Sequence, residues 1–124
     1  RFLQATALAV MITVPSCEAL IFGAGGAARA AAFALVNQKV SSLTIVNRNY
    51  ERAQSLSNEL TNHGFTCFAK SLDYENIQDI IAQSDLIVNS TRTHTKTHID
   101  IVDPGPPGTN NLHVFCRPTV SEQQ

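Results

Sequence analysis

The sequence predicts an α/β fold in which a doubly wound parallel sheet carries helices on both faces. Two observations support this fold class. Short, continuous apolar runs, typical of strands buried on both sides, alternate with helix-like segments from Glu18 onward. The links between them are also short, and strands that alternate with helices in this way form parallel βαβ units with right-handed crossovers.

Composition indicates one globular domain with a single core. Hydrophobic residues make up 44% of the 124 residues, charged residues make up 15%, and the formal net charge is -1. This balance excludes a disordered chain and provides no overall field that would attract nucleic acid or an anionic membrane. We therefore expect neither as a partner, and an anionic ligand would need a local binding site.

The predicted elements follow one another through residues 18–103. The apolar run EALIFG (18–23) predicts a strand, and GGAARAAAFALVN (25–37) predicts a helix because alanine has the highest helix propensity. SLTIVN (42–47) predicts a second strand, and NYERAQSLSNELTNHG (49–64) has apolar residues at helical spacing. The alternation continues with a strand, a helix and a fourth strand at FTCFA (65–69), YENIQDIIAQS (74–84) and DLIVNS (85–90).

The two ends of the chain have weaker patterns. Residues 1–17 are an apolar lead-in without an assigned role, similar to the core of a signal peptide or to a buried strand or helix. Because the chain opens with Arg rather than Met, we expect it to be a fragment. Residues 104–124 are loop-like in composition, although short strands are predicted at Ile99–Val102 and at LHVF (112–115).

The turn after the first strand has the glycine pattern of a dinucleotide-binding site. Gly23, Gly25 and Ala28 match G-x-G-x-x-[GA] between a predicted strand and a predicted helix. Gly23 permits a tight turn, Gly25 permits close approach of a pyrophosphate, and Ala28 permits close packing of the helix on the sheet. The pattern therefore predicts a Rossmann-type fold, and a glycine-rich turn that binds nothing is the alternative interpretation.

The end of the second strand indicates which nucleotide would bind. An NAD site normally has Asp or Glu there, whereas this chain has Asn47, followed by Arg48 and Arg52. Loss of the acid removes a charge that would repel a 2′-phosphate, and a guanidinium offers that phosphate paired donors. We therefore predict NADP rather than NAD. The alternative is a solvated helix start in which the arginines pair with Glu51 or Glu59.

Three segments, GAGGAARA, NRNYERA and DLIVNST, resemble in this order the nucleotide-binding half of the shikimate dehydrogenases. In that family GAGGA[AS]R, NR[TN]xxRA and D[LI]I[IV]N[AST]T recur, and the resemblance covers about residues 18–91. It implies reversible, NADPH-dependent reduction of 3-dehydroshikimate to shikimate in aromatic amino acid biosynthesis.

The resemblance also implies which residues bind NADP(H). The pyrophosphate would lie on the glycine loop, which comprises Gly23, Ala24, Gly25, Gly26 and Ala27. The adenosine 2′-phosphate end would lie on Asn47, Arg48, Asn49 and Arg52, and Thr91 would face the cofactor near the domain cleft.

The chain departs from the family pattern after the fourth strand. Family members usually continue with a loop containing Gly-Met, whereas this chain has RTHTKTH (92–98). By the resemblance, the catalytic Lys and Asp belong to an amino-terminal substrate domain, and residues 1–17 match none of its motifs. We therefore assign no catalytic residue, and we expect shikimate or 3-dehydroshikimate to bind only with that domain.

Two other functions remain open. The NADP-binding domain of glutamyl-tRNA reductase also pairs a glycine loop with an NR-x-x-RA-like segment, but it usually has Glu-Met where this chain has Gly26 and Ala27. The second is a truncated, non-catalytic nucleotide-binding module. An upstream lysine-bearing domain in the full-length gene would distinguish a shikimate dehydrogenase from such a truncated module.

Other reactive side chains form no convincing site. His94 and His98 are four residues apart, but the threonines around them disfavour a helix and no third ligand is near in sequence, so we predict no metal. Lys70, Asp73 and Asp79 look like ordinary surface residues. The three cysteines lack CxxC spacing, which favours a reducing, cytoplasmic location.

Overall fold

The structure is a computed structural model that describes residues 3–4, 17–72, 74–91 and 113–116. Its strands are β1 (Leu3–Gln4), β2 (Glu18–Phe22), β3 (Ser42–Asn47), β4 (Phe68–Ser71), β5 (Leu86–Asn89) and β6 (His113–Cys116). Its helices are α1 (Gly26–Asn37), α2 (Tyr50–Asn62) and α3 (Tyr74–Gln83). Within the described part of the chain, the strands form one sheet in the order β1-β6-β5-β2-β3-β4.

The four parallel strands confirm the predicted fold class. Strand β2 pairs in parallel with β3 on one side and with β5 on the other, so that Ile21 lies between Ile45 and Val88. Strand β4 continues the parallel ladder beyond β3. The chain thus winds outward from β2 in both directions, which places the carboxyl ends of β2, β3 and β5 at one edge of the sheet.

Helices cover both faces of this sheet, as predicted. On one face, Ala28 and Ala32 of α1 and Leu56 and Leu60 of α2 pack in a cluster with alternate residues of the strands, such as Ile21. The opposite face forms a second cluster with α3, whose members are Leu20, Phe22, Val46, Ile77, Ile87 and Phe115. Ala28 is completely buried, as expected of a small residue that lets α1 pack close to the sheet.

The third predicted strand begins later than expected. It was predicted at 65–69, but β4 spans Phe68–Ser71. The three preceding residues instead close the end of α2, where Gly64 has a φ of 93° and the Phe65 N–H donates to the Leu60 carbonyl at 3.1 Å. Cys67 is buried against Ser57 of α2, so these apolar residues belong to the helix packing rather than to the ladder.

Two antiparallel strands extend the sheet beyond β5. Strand β6, one residue later than the strand predicted at LHVF, pairs antiparallel with β5, and β1 pairs antiparallel with β6. Segments from both ends of the chain therefore join the same sheet as the central strands. The strand predicted at Ile99–Val102 lies outside the described residues. None of the described helices is long and apolar enough to cross a membrane.

Candidate functional site

The turn between β2 and α1 requires glycine at its first position. Gly23 has a φ of 116°, a region that residues with a side chain rarely adopt. A Cβ at this position would lie 2.2 Å from the Ser90 Oγ, which itself donates to the Phe22 carbonyl at 2.8 Å. The Gly23 N–H donates to the Val46 carbonyl at 2.8 Å. Gly23 therefore joins the carboxyl ends of β2, β3 and β5.

The next glycines serve a different purpose. Gly25 is the N-cap of α1 with extended backbone, and no side chain caps this helix. A Cβ on Gly25 or Gly26 would meet nothing within 4 Å, and both residues are exposed together with Ala27. Nothing in the packing requires glycine here, and the first N–H groups of α1 face open space at the positive end of the helix dipole. This arrangement suits an anion.

The start of α2 brings two arginines to the same edge of the sheet. The Asn49 side chain caps α2 by accepting from the Arg52 N–H at 3.3 Å, and the Asn47 side chain donates to the Asn49 carbonyl at 3.0 Å. Arg48 and Arg52 are exposed. Among the described residues, neither arginine forms an ion pair, and Glu59 pairs with Arg29 instead. The alternative interpretation, in which Arg48 and Arg52 pair with Glu51 or Glu59, is thus not what the structure shows.

The segment after β5 closes the third side of the site. The Asn89 side-chain oxygen accepts from the Thr91 N–H at 3.0 Å and from the Thr91 hydroxyl at 2.6 Å. The Ser90 N–H donates to the Phe22 carbonyl at 2.9 Å. These bonds hold Ser90 and Thr91 against the end of β2, beside the glycine turn.

Together these segments enclose a cleft of about 310 Å³. Most of the predicted cofactor residues line it, namely Gly23, Ala24, Gly25, Asn47, Arg48, Arg52 and Thr91. The other predicted residues, Gly26, Ala27 and Asn49, lie outside its lining.

Four residues that line the cleft were not predicted, namely Phe22, Val46, Leu72 and Ser90. Ser90 is part of the DLIVNST segment, so its position at a strand end was a usable signal. The sequence pattern indicates only that Phe22 and Val46 are buried in strands, and not that they line a binding site. Leu72 follows the strand whose position was misassigned, and nothing in the sequence pointed to it.

A second cavity, the α1–α2 groove, adjoins the cleft and has a volume of about 310 Å³. Its lining comprises Ala24, Gly25, Gly26, Arg29, Arg52, Ser55, Leu56 and Glu59. The Arg29 Nε donates to the Glu59 Oε2 at 2.9 Å, and a second guanidinium nitrogen binds the same oxygen. This contact raises the pKa of Arg29 and lowers the pKa of Glu59.

The remaining candidate residues lie elsewhere or are not described. Lys70 on β4 and Asp79 on α3 are exposed, as predicted, and Asp73 lies outside the described residues together with His94 and His98. Within the described ranges, no group of three His, Cys, Asp or Glu side chains could bind a metal ion. All three cysteines have free thiols.

A parallel sheet wound outward from β2, with a glycine turn and a cleft across its carboxyl edge, defines a Rossmann-type α/β domain. The sequence model of the shikimate / quinate 5-dehydrogenase family matches residues 6–100. The chain belongs to this family of oxidoreductases.

Individual relatives agree with this membership. The chain is 37% identical over 95 residues to the shikimate dehydrogenase (NADP(+)) of Methanothermobacter thermautotrophicus, a match that covers 76% of this chain and 33% of that protein. A glutamyl-tRNA reductase of Corynebacterium diphtheriae is 33% identical over 81 residues, which covers 65% of this chain and 18% of the reductase.

Among solved structures, the quinate dehydrogenase from Corynebacterium glutamicum in complex with NAD aligns with a TM-score of 0.59 and 29% identity. This alignment covers 73% of the chain and 32% of the dehydrogenase. The chain thus spans about a third of the length of the shikimate dehydrogenase and the quinate dehydrogenase that it matches.

Proposed function

We propose that this chain is the NADP-binding domain of a shikimate dehydrogenase, an enzyme that reversibly reduces 3-dehydroshikimate to shikimate. The observation that carries the proposal is the cleft in which a glycine turn faces Arg48 and Arg52, with Asn47 where an NAD site has an acid. Residues 18–103 form the proposed binding unit, with β6 extending its sheet.

The pyrophosphate of the dinucleotide would lie on the glycine loop. Ala24 and Gly25 line the cleft, and Gly25 and Gly26 leave open space above the backbone at the start of α1. A doubly charged pyrophosphate can then approach the uncapped N–H groups, where the helix dipole also favours an anion. The open glycines fit this ligand because any side chain there would stand between the backbone and the phosphates.

The adenosine 2′-phosphate would lie between the arginines. Arg48 and Arg52 line the cleft, are exposed and form no ion pair among the described residues, so their donors remain for an incoming anion. Asn49 acts on the arginines indirectly in this proposal, because its side chain is already used to cap α2. Asn47 binds the Asn49 carbonyl and so fixes the same turn.

The nicotinamide end would lie toward Thr91, at the carboxyl end of β5. The bound cofactor supplies the hydride, and this chain's residues bind the cofactor and set its orientation. In this reductive direction, the groups that bind 3-dehydroshikimate and give a proton to its carbonyl oxygen would belong to a substrate domain outside these residues. The free thiols of all three cysteines support the cytoplasmic location expected for such an enzyme.

Arg48 provides the test of this proposal. Arg48→Ala should weaken NADP⁺ binding by about 1.5 to 3 kcal/mol while leaving NAD⁺ binding nearly unchanged, because only NADP⁺ has the 2′-phosphate. Isothermal titration of the purified chain with each nucleotide measures both constants. Lys39→Asn is the matched control, since it removes one exposed positive charge at the opposite edge of the sheet. Equal losses for both nucleotides would contradict the proposed role.

The glutamyl-tRNA reductase relative favours a second candidate, the NADP-binding domain of that enzyme. Both candidates use the same cleft for the same nucleotide, so the Arg48 experiment does not separate them. The domain that precedes this one in the full-length gene does, because a shikimate dehydrogenase would carry its lysine-bearing substrate domain there.

A further inference from the structure

The α1–α2 groove contains an acidic residue close to the proposed phosphate-binding arginines. Arg52, Ser55, Leu56 and Glu59 follow one another along a single face of α2 and all line this groove. Arg52 and Glu59 are two helical turns apart, so their backbones are separated by about 10 Å. Their side chains are long enough to shorten this distance over the small Ser55.

Arg29 binds this acid from the opposite wall of the groove. Two nitrogens of its guanidinium donate to one oxygen of Glu59, so the contact joins α1 to α2. The guanidinium also lies 4.9 Å from the centre of the Phe33 ring on α1, and His63 packs edge-on against the same ring at 5.3 Å. The contact with Phe33, on the same helix, thereby keeps the Arg29 side chain in the orientation that binds Glu59.

We propose that Arg29 is a specificity-determining residue of the NADP site. By binding Glu59 from α1, Arg29 neutralises the carboxylate nearest to Arg52 in the groove and leaves the charge of Arg52 available to the 2′-phosphate. Arg29 itself need not touch the nucleotide. The inference rests on the proposed function, because it concerns the choice between NADP⁺ and NAD⁺.

Removal of Arg29 would change the site in two ways. The unpaired Glu59 carboxylate would repel a 2′-phosphate, and two unit charges about 10 Å apart in water alter a binding constant roughly two-fold. The same carboxylate would also attract Arg52 along the face of α2 and away from the cleft. Both effects lower the affinity for the 2′-phosphate, which only NADP⁺ carries. Glu59 would also repel the pyrophosphate on Gly25 and Gly26, but both nucleotides carry this group, so that repulsion cancels in the selectivity ratio.

A double-mutant comparison tests the inference on the full chain. The dissociation constants for NADP⁺ and NAD⁺ are measured at low ionic strength for the wild type, Arg29→Met, Glu59→Gln and the double variant. Methionine keeps an apolar stem over Phe33 while removing the charge. We expect Arg29→Met to lower the selectivity for NADP⁺ by about three-fold or more. Glu59→Gln should keep the wild-type selectivity, and the double variant should regain it.

Each outcome bears on one claim. If the wild type shows no preference for NADP⁺, the proposed function fails and not only this inference. If the wild type prefers NADP⁺, the inference is overturned by unchanged selectivity in Arg29→Met or by a double variant that stays impaired. It is also overturned if Lys39→Asn lowers selectivity as much as Arg29→Met does.

Two further measurements keep the comparison decisive. The loss in Arg29→Met should shrink at high ionic strength, because salt screens exposed charges, and a loss that persists would indicate a structural cause. Arg29→Gln replaces the methionine variant if thermal unfolding shows that the latter does not fold, and the same outcomes apply.

Discussion

At the scale of single residues, the glycines of one loop have separate physical reasons. Gly23 is required by its backbone conformation and by the Ser90 hydroxyl beside it, whereas Gly25 and Gly26 face open space. The glycine pattern predicted the loop itself, because strand, turn and helix are adjacent in sequence. It did not indicate Ser90, whose contact with Gly23 forms only when β5 pairs with β2.

Gly23→Ala should destabilise the fold. The substitution introduces a positive-φ strain of about 1–3 kcal/mol and also places a methyl group against the Ser90 Oγ. Urea unfolding measures the free energy of unfolding. Gly64→Ala is the matched control, since Gly64 also has a positive φ but a Cβ there meets nothing within 4 Å. Equal losses in the two variants would show that the Ser90 contact contributes nothing.

At the scale of elements, the helix boundaries followed from local signals and one strand boundary did not. Asn49 and Gly64 mark the two ends of α2 by capping and by a positive φ, and both residue types are recognisable in the sequence. The predicted start of β4 is wrong because Phe65 and Cys67 are residue types that are common in strands. Their side chains pack on or near α2 and the core, which is tertiary information.

Ser57→Ala should weaken the packing of α2 against the segment that leads into β4. The buried Ser57 hydroxyl donates to the Cys67 carbonyl at 3.0 Å, and the substitution removes this hydrogen bond from the interior. We expect the free energy of unfolding to fall by about 1–2 kcal/mol in a denaturant titration. Ser55→Ala, on the exposed face of the same helix, should be neutral or slightly stabilising. A neutral Ser57 variant would refute this role.

The free energy of unfolding should fall at alkaline pH because of Cys17, the residue that precedes β2. Burial, together with the nearby Asp85 carboxylate, raises the pKa of Cys17 from 9.0 to about 11. Because the folded-state pKa is the higher one, the contribution to stability is complete below pH 9.0 and is lost as pH rises toward about 11. Thermal unfolding between these values should show the loss. It should be smaller in Cys17→Ala, and an identical alkaline slope in that variant would rule Cys17 out.

At the scale of the whole molecule, the alternation of strands and helices predicted the central sheet and its helical layers. It did not predict the direction of β6, because a four-residue strand such as HVFC has the same composition whether it pairs parallel or antiparallel. The described residues form the glycine turn and the arginine side of a cleft at the carboxyl edge of this sheet, although the chain spans about a third of the length of its shikimate dehydrogenase relative. Nucleotide binding and catalysis should therefore be separable.

The purified chain should bind NADP⁺ but should not oxidise shikimate. Hydride transfer requires the substrate carbon to be held against the nicotinamide and a group that accepts the proton, and positioning of this kind contributes several kcal/mol to catalysis. Lys70 on β4 is exposed and does not line the cleft. The measurement is NADPH absorbance with excess shikimate. Turnover that a substitution within this chain abolishes would contradict the expectation.

The most direct test of the central claim is the ratio of the dissociation constants of the wild-type chain for NAD⁺ and NADP⁺, obtained by isothermal titration under identical conditions. With Asn47 in place of an acid, and with Arg48 and Arg52 lining the cleft, NADP⁺ should bind about ten-fold or more tightly than NAD⁺. The preference should weaken as salt is added, because the arginines are exposed. Equal affinities, or tighter binding of NAD⁺, would contradict the assignment of this cleft to NADP.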